Sequence, residues 1–382
     1  MMLEYVLKRF FSFVPTLFIV AVILFFIKTI LPGDPVDKMM MVDGELDIES
    51  PAYLSEYKKV QQRLGLDEPA FYFSIVPYSY PQNLSGIIPQ YSRKKVIDDY
   101  HKTHRFERPR IDWNGSQNQF HIWITSFIKG DWGQSTIDQK QVSSKVSVAI
   151  KWTFFLLILS LVLAISISIP FGFWLSQGKT NFIKIILEKW SYLFFAIPLF
   201  WLCTLAVVFL TTDQYGTWTN WFPSIGLDPS YQRFSFWEGI SRYGNKLILP
   251  AICWTLHSMA YMSTQLKVSM QNQLSMDYLV TAYAKGLSRA QGAKKHAFKN
   301  AMIPMITLII GSIPGAMAGS IIIENIFNIP GMGRLLITAI YESDWNIVMA
   351  IVMITAFITM LCYLVADVLY SVVNPKIKWK TK

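Results

Sequence analysis

The chain has 382 residues, of which 52% are hydrophobic, 15% aromatic and only 16% charged, and its mean hydropathy is positive. A soluble domain carries about a quarter charged residues, so this composition excludes an ordinary soluble protein and, more firmly, a disordered one. The formal net charge of +10 would suggest nucleic acid in a soluble protein, and the positions of the charges decide whether it does here.

Six windows contain no Asp, Glu, Lys or Arg: residues 10–27, 152–178, 190–212, 247–266, 300–323 and 345–366. About 20 apolar residues in a helix cross a bilayer core about 30 Å thick. The pattern predicts an all-α membrane protein with six transmembrane helices. The first window follows Lys8 and Arg9, as a signal-peptide core would, but it is longer than such a core. No small-x-small cleavage site follows it, and the chain continues as Leu31-Pro32-Gly33-Asp34-Pro35, so residues 1–30 are expected to remain as a cytoplasmic N-terminus and first span.

Residues 31–144 are too long for a simple loop and read as an extracytoplasmic subdomain inserted between spans one and two, with short helices around residues 54–64 and 120–128. His101, His104 and His121 suggest metal ligands only loosely. No carboxylate or cysteine completes a known spacing, so a solvated basic stretch is expected and no metal. Asn83-Leu84-Ser85 and Asn114-Gly115-Ser116 fit the glycosylation acceptor pattern, which matters only in a eukaryotic secretory pathway. Five spans follow over residues 145–374, then a tail at 375–382.

Basic residues crowd segments 1–9, 179–189, 267–299 and 367–382, whereas loops 213–246 and 324–344 together hold more acids than bases, as does segment 31–144. The positive-inside rule then places both termini in the cytoplasm. The net charge belongs to the cytoplasmic membrane face, and nucleic acid drops out.

Within the spans the only ionisable side chain besides cysteine and tyrosine is His257, expected to be hydrogen-bonded in the bundle rather than to relay protons. A secondary transporter is therefore disfavoured, and any driving energy must come from outside the chain. Gly178-Lys179-Thr180 imitates the end of a phosphate-binding loop, but Phe173 stands where that loop needs glycine and the fragment follows a span instead of a strand. No HExxH or Gly-x-Ser-x-Gly occurs, so a membrane enzyme is a weak alternative; no catalytic residue and no cofactor is expected in this chain. Cys203, Cys253 and Cys362 lie inside apolar runs and read as small hydrophobes.

The cytoplasmic loop 267–299 carries the richest local signal. A helix can run to Lys285, whose charge suits a helix C-terminus. Gly286 suits the left-handed position that ends a helix, and Ser288 with Gln291 forms a capping box for the next one. Ala282 and Ala284 near this corner allow close approach by another surface. An ordinary amphipathic connector is the competing reading.

The stretch Asp277-Tyr278-Leu279-Val280-Thr281-Ala282-Tyr283-Ala284-Lys285-Gly286-Leu287, followed by His296 and Asn300-Ala301-Met302-Ile303-Pro304, resembles the EAA loop of binding-protein-dependent ABC importer permeases. The dipeptide, oligopeptide and nickel branch is the most similar. Further matches are Pro32-Gly33-Asp34-Pro35, Arg63-Leu64-Gly65-Leu66-Asp67, Gly130-Asp131-Trp132-Gly133-Gln134-Ser135, Glu324 through Leu335, and Asp367 to Tyr370 with Asn374-Pro375 and Lys378. The resemblance implies a type I importer permease fold in the cytoplasmic (inner) membrane. It implies that the loop is a coupling helix docking in a cleft of a cytoplasmic ATPase, with Asp277, Ala282, Lys285 and Gly286 as docking residues and His296 and Asn300 matching just after the corner. It also implies two ATPase subunits that bind ATP and magnesium, a second permease (homologous or identical), an extracytoplasmic substrate-binding protein, and peptides as cargo, with nickel or another small solute as the alternative. Tyr283, Thr264 and Asn374 depart from the family pattern, which favours arginine, a basic residue and aspartate there, and the extracytoplasmic segment is longer than is common.

Span five carries Gly311, Gly315 and Gly319, four apart, a spacing that stacks small residues on one helix face. They serve packing either inside the bundle or against a partner permease, and Pro304 and Pro314 add bends. Beyond it Pro330-Gly331-Met332-Gly333 forces a turn, which the resemblance places in an outer loop where gating is a possible role.

Overall fold

The computed structural model describes residues 2–30, 36, 51–63, 66–78, 108–178, 181–214, 216, 219–224, 226 and 235–373. Pro32 to Pro35, Asn83 to Ser85, His101, His104, Lys179 with Thr180, and Asn374 onward lie outside them. In chain order the elements are α1 (Met2–Phe11), α2 (Phe13–Ile30), α3 (Pro51–Arg63), strands β1 (Phe73–Pro77) and β2 (Pro109–Trp113), α4 (Gln119–Ile128), α5 (Val142–Ser176), α6 (Phe182–Ala196), α7 (Leu199–Leu210), α8 (Phe236–Tyr243), α9 (Ile248–Leu274), α10 (Asp277–Ala284), α11 (Arg289–Gly292), a π turn (Ala293–Ala297), α12 (Phe298–Ile326), α13 (Met332–Tyr341) and α14 (Trp345–Val373). The short helices expected near 54–64 and 120–128 are α3 and α4. The β1–β2 pair was not expected from the sequence.

Among the described residues, four helical stretches are long and apolar enough to cross a membrane: Val6–Ile30, Val142–Ser176, Arg289–Pro314 and Trp345–Leu369. A fifth arises if α6 and α7 count as one span, broken by a 99° bend. The expected window 190–212 cuts across that break. Pro198 opens α7 and Ile197 before it is extended, at φ −73° and ψ 125°, because a residue preceding proline is driven out of the helical region. The remaining window lies in α9, a continuous helix of 27 residues that is not among the four, since Thr255, His257, Ser258, Ser263, Thr264 and Gln265 dilute its apolar run.

The chain divides into two compact units. One comprises residues 17–145 and 339–353. Its centre is Phe120, fully buried, whose ring lies 5.3 Å from Phe25, 5.0 Å from Phe71 and 5.8 Å from Phe18. Asn118 caps α4 by accepting from the His121 N–H, which turns Phe120 onto α2. The His121 ring nitrogen Nδ1 pairs with the Tyr72 hydroxyl at 3.0 Å. Asn114 donates to Phe71 O and Ser74 Oγ, and buried Asp344 accepts a 2.5 Å bond from Ser135.

The other unit comprises residues 1–16, 146–338 and 354–382. Helices α5 and α9 run parallel in it. Thr255 donates to Ser160 O, Ser168 to Met259 O, and Gly172 lies so close to α9 that an added Cβ would stand 2.6 Å from Ser263 O. One core joins Trp152 and Leu156 to Leu247, Cys253, Trp254, Ile323 and Phe327. A second joins Ala164, Met262, Leu266 and Met270 to Leu279, Ala293, Ala297, Ala301 and Met305. Arg9 pairs with Asp367 at 2.7 Å, linking α1 to α14.

Candidate functional site

The corner between α9 and α12 is built by local signals. The helix expected to run on to Lys285 is interrupted: α9 ends at Leu274, Met276 is extended, and α10 restarts with Asp277 in its first turn, where a carboxylate suits the helix dipole. α10 ends at Lys285 with Gly286 at φ +90°. The Gly286 N–H donates to Tyr283 O and the Leu287 N–H to Ala282 O, the paired bonds of a Schellman termination. Ser288 and Gln291 then close both halves of a capping box.

The corner is fastened from beneath. Leu279, Ala293 and Ala297 are buried against Leu266, Met270 and Met305. The Tyr283 ring fills the space left by Gly292, where an added Cβ would stand 2.6 Å from its Cε1; the departure from arginine at position 283 is absorbed by a glycine nine residues on. Outward, Asp277, Tyr278, Val280, Thr281, Ala284, Lys285 and Gly286 are exposed, Val280 by 65%. Ala282, expected among the docking residues, is buried. His296 is half-buried in the π turn and Asn300 is exposed on α12. Lys267 on α9 donates to both oxygens of Glu188 on α6, at 2.7 and 2.9 Å.

Elsewhere in the same unit α5, α6, α7, α9 and α12 line an open pocket of about 610 Å³, its walls including Ser160, Phe195, Trp254, His257, Tyr261 and Gly311 and no Asp, Glu, Lys or Arg. Phe195 stacks on both His257 and Tyr261. The cavity lies beside the broken helix, consistent with the rule that irregular backbone at membrane depth lines a cavity or is buried in protein. His257 is stacked, and its buried Nδ1 has no hydrogen-bond partner among the described residues, unlike the hydrogen-bonded residue expected. Among the described residues nothing outside its own helix lies within 4 Å of where a Gly311 Cβ would stand, and Gly311 lines the pocket; Gly315 and Gly319 lie further along α12.

The sequence signal at Pro330-Gly331-Met332-Gly333 resolves into a clamp. Glu324, 0% exposed, accepts from Thr153 Oγ1 at 2.7 Å, from the Gly333 N–H at 2.7 Å and from the Arg334 N–H at 3.1 Å. The Met332 N–H donates to Thr153 Oγ1 at 2.8 Å. The first turn of α13 is thus capped by side chains from α12 and α5, satisfying N–H groups that no residue of α13 can reach. A Cβ on Gly331 would land on the Glu324 carboxylate, and one on Gly333 would stand 2.5 Å from Ile321 Cα. In the sequence Glu324 stands one residue past the window 300–323 and heads the Glu324–Leu335 match. Its clue was an acid beside an apolar span, but its partner Thr153 lies far away in the chain.

Among the described residues, several helices long and apolar enough to cross a membrane, one pair of them sharply bent, fit a multi-pass membrane protein. The family of binding-protein-dependent transport system inner membrane components matches residues 168–379. The chain is 30% identical over 262 residues to the oligopeptide transport system permease protein AppB of Bacillus subtilis, covering 68% of this chain and 80% of that protein. It is 27% identical over 379 residues to the glutathione transport system permease protein GsiC of Escherichia coli K12, covering 99% and 100%. The Shigella flexneri GsiC is 28% identical over 384 residues, with the same coverage. The chain belongs to the family of binding-protein-dependent transport system inner membrane components.

Proposed function

We propose that this chain is the membrane-spanning subunit of an ATP-driven importer of peptides. It works with a second permease, two cytoplasmic ATPases that bind ATP and magnesium, and an extracytoplasmic substrate-binding protein. The relatives named as oligopeptide and glutathione permeases favour peptides over nickel. In this reading α9 and the broken α6–α7 pair complete six spans in the inner membrane, with both termini cytoplasmic.

The observation that carries the mechanism is the corner: a face exposed at Asp277, Val280, Lys285 and Gly286, fastened by its buried side to α9 and α12. A partner ATPase gripping that face moves both helices, because the packing beneath it transmits displacement without slack. Those helices wall the cavity, so ATP-driven closure of two ATPases re-aims the pathway between outward and inward openings. His296 and Asn300 continue the docking surface; Ala282 serves it from within. Gly331 and Gly333 hold the outer turn on Glu324, and that turn gates the pathway.

Reconstitution tests the reading. Proteoliposomes holding this chain with its co-purifying subunits and binding protein should accumulate labelled peptide only with ATP and magnesium. Uptake driven by an ion gradient without an ATPase, or nickel uptake without peptide uptake, would overturn it.

A further inference from the structure

The β1–β2 ribbon has its apolar face outward. Its register pairs Phe73 with Trp113 and Ile75 with Ile111, so these four side chains share one face. They are exposed by 44, 75, 63 and 70% respectively. The opposite face carries buried Val76, the Ser74–Asn114 hydrogen bond and the Arg110–Asp112 ion pair. An aqueous ribbon would bury the first face and expose the second.

An unbroken aromatic chain connects that face to a span. Phe26 on α2 lies 5.2 Å from Phe71, and Phe71 lies 5.4 Å from Phe73. Ile19, Ile23, Phe26, Ile27 and Ile30 on α2 are themselves exposed, as a lipid-facing helix requires. At a rise of about 1.5 Å per residue, Phe26 sits roughly 6 Å below Ile30, the end of the span, and roughly 24 Å above Phe10. The root of the ribbon is therefore level with the outer end of a hydrocarbon core about 30 Å thick. A two-stranded ribbon also has unpaired edge N–H and C=O groups, which the hydrocarbon itself cannot accommodate. The headgroup boundary satisfies both demands, and it is where tryptophan and tyrosine collect; Tyr78, also exposed, extends the patch.

We infer that the Phe73–Ile75–Ile111–Trp113 face is a lipid anchor that lies in the outer-leaflet interface, with the Arg110–Asp112 face turned away from the bilayer. The inference goes beyond transport; it rests on α2 spanning the membrane with its N-terminal end cytoplasmic, as proposed above.

The test uses the full chain with Cys362→Ala in lipid nanodiscs, and Ile111→Cys or its cross-strand neighbour Ile75→Cys labelled with an environment-sensitive fluorophore. The two buried cysteines stay, and the parent chain is the labelling blank. Lipids spin-labelled at the headgroup or high on the acyl chain serve as quenchers. Both sites should show blue-shifted emission and several-fold stronger quenching than Lys140→Cys, an exposed position of the same unit. Water-like emission with quenching no greater than at position 140 would overturn the inference. So would protection that appears only when a substrate-binding protein is added, since the face would then be a protein contact. A chain that anchors its ribbon yet moves no peptide would leave the anchor standing and overturn the transport reading alone.

Discussion

Thr153 Oγ1 donates a 2.7 Å hydrogen bond to Glu324 Oε1 across 171 residues of chain, and the same hydroxyl accepts the Met332 N–H. One threonine therefore joins α5, α12 and the start of α13 in a single buried network. Such networks are costly when broken, because the remaining members cannot turn to water.

Thr153→Val should destabilise the protein by about 2–4 kcal/mol, since it strands both a carboxylate oxygen and a backbone N–H. Glu324→Gln should cost about 2–3 kcal/mol by replacing charge-assisted bonds with an amide whose NH₂ faces other donors. The two changes share one network, so the double variant should lose less than the sum. Denaturation in detergent of the three variants measures this; strict additivity would refute the shared network.

Glycines should divide by their surroundings. Gly333→Ala forces a Cβ against Ile321 backbone and should impair folding or outer-turn closure, whereas Gly311→Ala meets no side chain or neighbouring helix within 4 Å among the described residues and should leave stability within about 0.5 kcal/mol. Thermal stability alongside peptide uptake separates them. A loss of uptake in Gly311→Ala without a loss of stability would point to the pathway or a partner helix.

At the corner, Gly286→Ala meets no steric obstacle but must keep φ at +90°. Its cost should be the left-handed backbone term alone, about 1–2 kcal/mol. Gly292→Ala should be worse, because its Cβ strikes the Tyr283 ring, and Tyr283→Ala should restore most of that loss. Melting curves of the two single variants and the pair decide.

Asp138 gives a pH signature. Burial pushes its carboxyl up, but the hydrogen bond and charge of Lys145, with the Lys140 N–H, prevail and hold it below the ordinary value. A depressed folded pKa contributes stability above the unfolded value, near 3.9, and loses it as pH falls through the folded one. Asp138→Asn should therefore lower stability at neutral pH and converge with the parent as pH drops below about 4. Melting temperature against pH for both proteins checks the sign.

The corner was legible because its determinants are local: a glycine, a serine and a glutamine at fixed offsets write a Schellman end and a capping box. Four spans were legible from length and the absence of charge. The break at Ile197 was missed although Pro198 announced it, since counting charges ignores backbone chemistry. Met276 ended α9 early without a sequence signal as strong as glycine or proline. The Glu324–Thr153 clamp and the ribbon register were out of reach, because each depends on which distant segments meet. Ala282 shows the remaining limit: a small residue near a corner suits close approach from either side, and only packing reveals that the approach is from within.

The most direct measurement places a photo-crosslinking residue at Val280, on the exposed face of the corner, and irradiates native membranes containing the assembled transporter. The expected result is a covalent adduct with the ATPase subunit whose yield changes when ATP is bound. An ATPase that co-purifies with the chain yet never crosslinks from Val280, or from Lys285 five residues on, would contradict the coupling role of this corner.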